Sequence, residues 1–364
     1  MSPVLRRVDG WWQRGGSGAG MQQVLGAASG GYRRLLNTRE WLYARGVLRS
    51  RALPCPVVSV GNLTVGGTGK TPAVEMAVRT LVDLGHTPAV VSRGYGRRST
   101  GIQIVADAAS IRLDAEEGGD EPFLLARRLP GVPVVVGSNR YDAGRTARER
   151  FAVTAIVLDD GMQHRTLVKD LEIVMVRAAD PWGNGRLLPR GPLREPVSGL
   201  ARAHLVVVTG AATPSVAPEV MAAVSRHAPG VPVLSAQYVP TQCWESGTMR
   251  PVPVARLAGA PLLGFAGIAA PAGFRRTLDE AGARVADVVA FMDHHWYTRD
   301  DLARLDRRAA ALGAEALVTT EKDWVRLRGL PPPTRPVYVL GVQLVLTTGE
   351  AEWLAVFRKR CPTP

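Results

Sequence analysis

Residues 59–72 read SVGNLTVGGTGKTP, a predicted apolar strand that leads into closely spaced glycines, a lysine and a threonine. In a P-loop, glycines let backbone N–H groups converge on phosphate oxygens, a lysine reaches the transferred phosphate, and a hydroxyl holds magnesium. The helix predicted to follow would add the positive end of its dipole. The stretch therefore predicts an ATP phosphate site made of Thr64, Gly66, Gly67, Thr68, Gly69, Lys70 and Thr71.

One position departs from the usual P-loop pattern. The first glycine is expected five residues before Gly69, where Thr64 stands, and the Gly66-Gly67 pair is typical of deviant Walker sequences. ATPase switches of the partitioning type share that pair, but their signature lysine has no counterpart here because Val65 precedes Gly66. A membrane-associated ATPase switch of this type is the alternative interpretation.

A second motif, AIVLDDGMQH at residues 155–164, places two carboxylates after an apolar strand. P-loop enzymes hold magnesium with an acidic residue at the end of a neighbouring strand, and open α/β sheets bind ligands at that edge. We therefore expect Thr71, Asp159 and Asp160 to hold the metal, with a turn or capping role for one aspartate as the alternative. His164 follows closely and is a candidate hydrogen-bond partner.

Beyond Pro56, apolar strands alternate with helical stretches, which predicts a doubly wound, mostly parallel α/β sheet of the P-loop NTPase class. The alternation breaks at residues 231–258 into two extended segments around a polar turn. A second alternation follows, in which residues 316–323 are predicted as a strand. We predict a P-loop core at 1–235, a linker at 236–258, a smaller α/β domain at 259–346, and a C-terminal helix at 347–364 that can pack on the core.

The chain of 364 residues carries a net charge of +13, and arginine supplies most of the basic side chains. An anionic partner is indicated, for which nucleotide, phospholipid surface and nucleic acid all qualify. A GC-rich genome is another explanation of the arginine excess. The three cysteines form no CxxC pair, which favours a reducing, cytosolic setting. Neither a membrane-spanning run nor a secretory signal is expected.

Residues 1–53 are basic and aromatic, with nine arginines against two acidic residues. Within this segment the spacing of apolar residues predicts an amphipathic helix surrounded by arginines. The predicted apolar face consists of Leu35, Leu36, Leu42, Tyr43 and Val47. Such a helix is suited to a membrane interface beside anionic head groups, and equally to packing on its own domain.

Together the motifs resemble those of the tetraacyldisaccharide 4'-kinases, the family that phosphorylates the lipid A precursor at the inner face of the bacterial inner membrane. The resemblance covers most of the chain. It rests on the order and spacing of GNLTVGGTGKTP (61–72), SRGYGR (92–97), GDEP (119–122), DDGMQH (159–164), GRLLPRGPLREP (185–196), DHH (293–295) and TTEKD (319–323).

This resemblance implies magnesium-dependent transfer of the ATP γ-phosphate to the 4'-hydroxyl of an acylated glucosamine disaccharide 1-phosphate. A sugar hydroxyl is a poor nucleophile, so a carboxylate within hydrogen-bond reach can take its proton as attack proceeds. In the family an aspartate of GDEP has this role, paired with a histidine. The matching positions are Asp120 and His294, with His295 left open as the partner, and Lys70 is the third expected catalytic residue. Closure of the two domains about the linker would complete such a site.

Other residues take their expected roles from the same resemblance. Glu121 is expected to help hold the metal or the acceptor. Acceptor binding is expected from Asn62, Tyr95, His164 and Arg194. An arginine neutralises phosphate charge in many phosphoryl transfers. A purely structural role for Glu121, Tyr95 or Arg194 is the alternative.

A lipid acceptor gives the arginine-rich N-terminal helix a purpose, because the acyl chains belong to the bilayer surface. We expect a peripheral protein at the cytoplasmic face of the bacterial inner membrane, with no obligate protein partner. Nucleic-acid binding is a further alternative raised by the charge of +13 and the early tryptophans. No RRM, KH, zinc-finger or basic-zipper signature occurs, so nucleic acid is not expected as a partner.

Overall fold

The computed structural model describes residues 19–210, 217–331 and 333–364. The helices are α1 (Ala19–Ala44), α2 (Lys70–Asp83), α3 (Ala115–Gly118), α4 (Asp120–Arg128), α5 (Arg140–Phe151), α6 (Pro218–His227), α7 (Pro271–Glu280), α8 (Arg299–Ala311), α9 (Glu321–Leu327) and α10 (Glu350–Arg360). The strands are β1 (Val57–Gly61), β2 (Pro88–Ser92), β3 (Gln103–Ala106), β4 (Val134–Val136), β5 (Ala155–Asp159), β6 (Leu171–Arg177), β7 (Leu205–Thr209), β8 (Val233–Glu245), β9 (Pro251–Val252), β10 (Leu262–Ala266), β11 (Val285–Ala290), β12 (Ala316–Thr320) and β13 (Val337–Leu346).

The described strands join into one sheet, in the order β11-β10-β12-β13-β8-β7-β6-β1-β5-β2-β4-β3, with β9 paired to β8. Neighbouring strands are parallel except for β13 with β8, β3 with β4, and β8 with β9. Parallel strands require crossover connections, which the intervening helices supply. The prediction of a mostly parallel α/β sheet of the P-loop class is confirmed.

Strand β1 lies between β5 and β6, and all of its residues are buried. Its side chains divide between two apolar clusters: Val58 and Val60 pack with Val74 of α2, whereas Val57 packs with Ala143 of α5. An apolar strand covered on both faces is typical of a parallel sheet. This central position directs the P-loop to the carboxyl edge of the sheet.

Strands β8 and β13 connect the two halves of the sheet. The first residues of β8 pair in parallel with β7, and most of the strand pairs antiparallel with β13, from Ala236 opposite Leu346 to Glu245 opposite Tyr338. The start of β13 pairs in turn with β12. The segment predicted as a linker thus forms β8 and β9 within a continuous sheet, and the division at 235 and 258 stays a prediction.

The strand predicted for residues 316–323 is wrong in its second half. β12 ends at Thr320, and α9 begins at Glu321. The Thr320 hydroxyl accepts a hydrogen bond from the backbone N–H of Asp323 at 3.1 Å and donates one to its carboxylate at 2.6 Å. Because such a cap satisfies N–H groups that the start of a helix leaves unpaired, the chain turns into a helix here.

Helix α1 packs one side on the core. Leu36 is buried, and Tyr32 beside it donates its hydroxyl to the carbonyl of Arg194 at 2.7 Å. Leu35 is 71% exposed, because neighbouring residues point about 100° apart around a helix. Leu35 therefore does not share the buried side of Leu36. Val47 lies beyond the end of α1, so the predicted apolar face is wrong at this position. Among the described residues, no helix combines the length and apolarity needed to cross a bilayer.

The C-terminal helix α10 packs on α2. Trp353 and Phe357 are buried, with their ring centroids 4.7 Å apart. The indole N–H of Trp353 donates to the hydroxyl of Thr80 at 2.9 Å. These contacts join the end of the chain to the helix that follows the P-loop.

Candidate active site

A cavity of about 820 Å³ opens at the carboxyl edge of the sheet, where β1, β2 and β5 end. Residues 65–72 of the P-loop line one side, and residues that follow β10 line another. Side chains of both signs converge on it, among them those of Lys70, Asp160, Arg194, His294 and Lys322. Ligands of α/β sheets bind at this edge, so the cavity is the candidate active site.

The P-loop has the backbone conformation that its glycines permit. Gly66 and Gly69 have φ values of +108° and +86°, a region that residues with a side chain rarely adopt. A Cβ on Gly69 would also collide with the hydroxyl of Tyr238. Thr209, which also lies next to Gly69, donates its hydroxyl to the carbonyl of Thr68 at 3.2 Å. The loop is therefore fixed before α2 begins at Lys70.

Lys70 and Arg194 surround Asp160. The Lys70 Nζ donates to Oδ1 of Asn62 at 3.3 Å and lies 3.8 Å from Oδ1 of Asp160. The Arg194 Nη1 donates to both oxygens of Asp160, at 2.9 and 2.7 Å. Burial opposes the charge of Asp160, but these two cations lower its pKa to about 2. Asp160 has a φ of +54°, a conformation that concentrates at functional sites when a non-glycine residue adopts it.

Asp159 has the opposite electrostatic environment. Its Oδ2 accepts a hydrogen bond from the Ser92 hydroxyl at 2.9 Å, while its buried Oδ1 has no hydrogen-bond partner among the described residues. Burial and then repulsion from Glu121 and Asp160 raise the pKa of Asp159 to about 7. A buried carboxylate oxygen without a donor fits a hard divalent cation.

The described residues hold no group of three His, Cys, Asp or Glu side chains that could bind a metal on their own. This arrangement fits Mg²⁺, which keeps several waters and binds through one or two carboxylates together with substrate phosphates. Thr71 also lines the cavity, immediately after Lys70.

Asp120 and His294 form a hydrogen-bonded pair although they lie far apart in the chain. The His294 Nδ1 is 2.9 Å from the Asp120 Oδ2. Because an ionised carboxylate only accepts, Nδ1 of His294 carries the proton in this hydrogen bond. Burial opposes the charge of Asp120, but the hydrogen bond from His294 and the charges of Arg326 and Lys322 hold its pKa below the usual carboxyl range. His294 lines the cavity, whereas Asp120 is buried and does not.

His295 is engaged elsewhere. Its Nε2 is 3.0 Å from the Asp301 Oδ2, and its ring stacks on Phe291 with centroids 4.8 Å apart. The structure therefore brings His294, rather than His295, to Asp120. His294 adopts a φ of +61°, which is a second left-handed, non-glycine residue at this site.

Helix α9 contributes two basic residues that the sequence interpretation did not identify. The Lys322 Nζ donates to Oε1 of Glu121 at 2.9 Å and lies 3.3 Å from Nε2 of His294. The Arg326 Nε donates to Oδ2 of Asp120 at 2.9 Å. Lys322 belongs to the TTEKD motif, but a strand prediction hides the fact that residues four apart share one side of a helix.

Three other predicted residues line the same cavity. They are Glu121, Tyr95 and His164. Tyr95 and His294 have ring centroids 6.1 Å apart. Burial and then the nearby charge of Arg140 lower the pKa of His164 to about 4, so this imidazole is neutral at physiological pH.

Besides Asp120, two predicted residues do not line the cavity. Asn62 is fully buried and accepts the hydrogen bond from Lys70, so its contact is with the lysine and not with the cavity. Thr64 is buried and pairs through its backbone with Leu193. Direct contact with substrate or phosphate, as predicted for these residues, would need a different arrangement of the loop.

A glycine-rich loop at the start of α2, carboxylates at the end of a neighbouring strand and a hydrogen-bonded Asp–His pair at the same cavity define a P-loop kinase. The model of the family described as tetraacyldisaccharide-1-P 4'-kinase, LpxK, matches residues 21–361. The chain belongs to this family.

Curated relatives share this assignment. The chain is 43% identical over 318 residues to a tetraacyldisaccharide 4'-kinase of Syntrophus aciditrophicus, and the matched region covers 84% of each protein. It is 44% identical over 322 residues to that of Anaeromyxobacter dehalogenans strain 2CP-C, covering 87% of this chain and 85% of the relative.

A solved structure is similar over nearly the whole chain. This is the apo form of LpxK from Aquifex aeolicus in complex with ATP, with a TM-score of 0.72 and 31% sequence identity. The match covers 94% of this chain and 99% of that one. These findings favour a kinase over the partitioning-type ATPase switch.

Proposed function

We propose that this chain is an ATP-dependent kinase that transfers the γ-phosphate to the 4'-hydroxyl of a tetraacylated glucosamine disaccharide 1-phosphate. The product is the 4'-phosphorylated lipid, lipid IVA. The observation that carries the proposal is the hydrogen-bonded pair of Asp120 and His294, whose imidazole lines the same cavity as Lys70 and the P-loop. This arrangement places a proton acceptor and a phosphate cradle around one space.

In the proposed reaction a bond forms between the 4'-oxygen and the γ-phosphorus. The bond from this phosphorus to the β–γ bridging oxygen breaks, and ADP leaves. The hydroxyl proton passes to the pair of Asp120 and His294, in which the imidazole is the member that lines the cavity. Lys70 and Arg194 stabilise the charge on the phosphate oxygens.

Thr71 and Asp159 would hold Mg²⁺ together with the phosphates, and Asp160 and Glu121 would contact its waters. The buried Oδ1 of Asp159, which has no hydrogen-bond partner among the described residues, is the observation that fits this assignment. When bound, the ion neutralises negative charge on the phosphates and orients them. Tyr95 and His164 line the remaining part of the cavity and are proposed to contact the acceptor.

Because the proposed substrate carries acyl chains, we expect the protein to bind it at a membrane surface. Helix α1 leaves Val24, Leu35 and Trp41 exposed, next to exposed Arg33 and Arg34. Apolar and cationic side chains on one surface helix are typical of interfacial binding. We propose peripheral association with the cytoplasmic face of the bacterial inner membrane.

The test is an assay of the purified protein with ATP, Mg²⁺ and the tetraacylated disaccharide 1-phosphate, with the product read by mass spectrometry. We expect one phosphate to be added to the disaccharide and one ADP to form for each product. Omission of Mg²⁺ should abolish the reaction. ATP turnover that is independent of the lipid and leaves it unmodified would reject the proposal in favour of an ATPase switch.

A further inference from the structure

Arg326 on α9 is fully buried, yet it lines no part of the cavity. Its guanidinium contacts two separate parts of the chain. Nε and Nη2 donate to Oδ2 of Asp120 at 2.9 and 2.5 Å, and Nη1 donates to the carbonyl of Gly267 at 3.2 Å. A buried cation is costly unless it is fully paired, so these contacts fix its position closely.

The first contact orients the carboxylate of Asp120. Its Oδ2 accepts from both Arg326 nitrogens and from Nδ1 of His294, while its Oδ1 accepts from the backbone N–H of Glu121 at 2.9 Å. With both oxygens engaged, rotation of this side chain would break several hydrogen bonds at once. Oδ2 is therefore held toward the imidazole.

The second contact orients the segment that carries His294. The carbonyl of Gly267 accepts from Nη1 of Arg326 and also from the backbone N–H of His294 at 3.1 Å. The N–H of Gly267 donates to Oδ1 of Asp323, which lies 3.5 Å from Nη1 of Arg326. One guanidinium thus connects the carboxylate of Asp120 with the backbone that presents its histidine partner.

We propose that Arg326 is a positioning residue for phosphoryl transfer, which sets the relative placement of Asp120 and His294. It acts through these two residues and touches neither substrate nor nucleotide. The expected effect on kcat rests on the proposed function. The placement of Asp120 and His294 does not, because it can be measured without phosphate transfer.

A different role for Arg326 would be simple cross-linking of α4 to α9. Two other ionic contacts serve that purpose, between Lys322 and Glu121 and between Arg128 and Glu321. Phe123 of α4 also packs with Trp324 and Val325 of α9. Loss of Arg326 leaves these links in place, so the two roles predict different results.

The kinetic experiment compares wild type with Arg326→Met and Arg326→Lys. We expect Arg326→Met to lower kcat about tenfold or more, a share of the roughly 10²- to 10⁴-fold that a positioned acid–base group contributes. KM for ATP should change little, because the P-loop is untouched. The kcat of Arg326→Lys should lie between those of wild type and Arg326→Met, since lysine keeps the charge but not the forked donors. Arg335→Met, which removes a contact to Asp306 elsewhere, is the matched control and should keep wild-type kcat.

The double variant tests whether Arg326 acts through its partner. In an Asp120→Asn background, we expect Arg326→Met to cause little further loss of kcat, because residues that act as a unit are not additive. Independent, multiplicative losses would overturn the proposal. So would a kcat of Arg326→Met that equals that of the Arg335→Met control.

An NMR measurement covers the case in which Arg326→Met folds poorly or no phosphate is transferred. With ¹⁵N-labelled histidine, and His294→Gln to assign the signal, wild-type His294 should show the Nδ1–H tautomer when neutral. Arg326→Lys should shift this signal toward a mixture of tautomers. An Nε2–H tautomer in wild type, or an unchanged His294 signal in a folded Arg326 variant, would overturn the positioning role. Wild type with the expected signal but no phosphorylated lipid would instead reject the proposed function alone.

Discussion

Lys70 lines the cavity beside the P-loop glycines, where a bound phosphate chain would lie. It follows Gly69, begins α2 and lies among Asn62, Asp160 and the P-loop backbone. Its ammonium would stabilise charge on the transferred phosphoryl group in the transition state. The sequence predicted this role from spacing alone, because the P-loop is a local structure whose parts are contiguous in the chain.

Replacement of Lys70 by alanine should abolish most activity. We expect kcat to fall about 10²- to 10³-fold or more, the range seen when one preorganised charge-stabilising group is removed. The measurement is ATP-dependent formation of phosphorylated lipid. Lys359→Ala, on the exposed side of α10, is the control. Equal rates for the two variants would contradict the assignment of Lys70.

Asp120→Asn should reduce the chemical step while sparing ATP binding. We expect kcat to fall about 10²- to 10⁴-fold, because an amide neither holds the Nδ1 proton of His294 as strongly nor accepts a proton. Single-turnover kinetics and ATP titration separate the two effects. Asp287→Asn on β11 serves as the control. A near-normal kcat for Asp120→Asn would remove this residue from the proposed mechanism.

At the scale of secondary-structure elements, α9 shows where a local signal was present but overruled. Residues 320–323 read TEKD, which matches the capping-box pattern of a helix start. The preceding apolar run of β12 favoured extension of the strand instead. As a result, Lys322 and Arg326 lie one turn apart on the same side of α9. Residues four apart in a strand would be separated by about 13 Å instead.

Helix α8 begins with a capping box whose stability should depend on pH. Asp301 accepts from the backbone N–H and hydroxyl of Thr298 at 2.9 and 2.8 Å, and it contacts His295. Burial opposes its charge, but hydrogen bonds from His295 and Thr298 lower the pKa of Asp301. A folded-state pKa below the unfolded one means that ionised Asp301 stabilises the fold above about pH 4, and that this contribution is lost as pH falls further.

Asp301→Asn should therefore lower the free energy of unfolding by about 1 kcal/mol at neutral pH. The difference from wild type should shrink below about pH 4, where wild-type Asp301 loses its advantage. Urea unfolding at several pH values measures both quantities. Asp300→Asn, an exposed neighbour, is the control. A loss that is the same at acidic and neutral pH would show that the charge of Asp301 is not the cause.

At the scale of the whole molecule, one sheet carries the P-loop in one half and the segment with His294 in the other. Strands β8 and β13 join these halves through long antiparallel pairing. The Asp–His pair spans them, since Asp120 precedes this junction in the chain and His294 follows β11. The pairing register of β8 with β13 therefore helps to set whether Asp120 and His294 meet, although neither strand holds a catalytic residue.

Helix α1 should guide the molecule to anionic membranes. Arg33 and Arg34 are exposed on it, and each basic residue near such a surface contributes about 1 kcal/mol. The double reversal Arg33→Glu with Arg34→Glu should weaken binding to anionic vesicles about tenfold or more. Arg39 is left unchanged because it lines the cavity. Sedimentation with vesicles at low and moderate salt measures the effect.

Arg226→Glu with Arg256→Glu is the matched control for this change, since both residues are exposed and neither belongs to α1. The control should bind vesicles nearly as wild type does. If both double variants lose the same affinity, net charge alone governs binding. If neither does, α1 is an ordinary packed helix.

The sequence by itself determined the P-loop, the carboxylates at the end of β5 and most of the order of strands and helices, although not α9, because these depend on residues that are close in the chain. Only the tertiary structure decided that His294 rather than His295 meets Asp120, and that Arg326 connects the two. Those contacts join side chains separated by 174 and 206 positions. Local patterns specify backbone conformation and buried faces, whereas the pairing register of β8 with β13 and the packing of α4 on α9 fix which distant side chains touch.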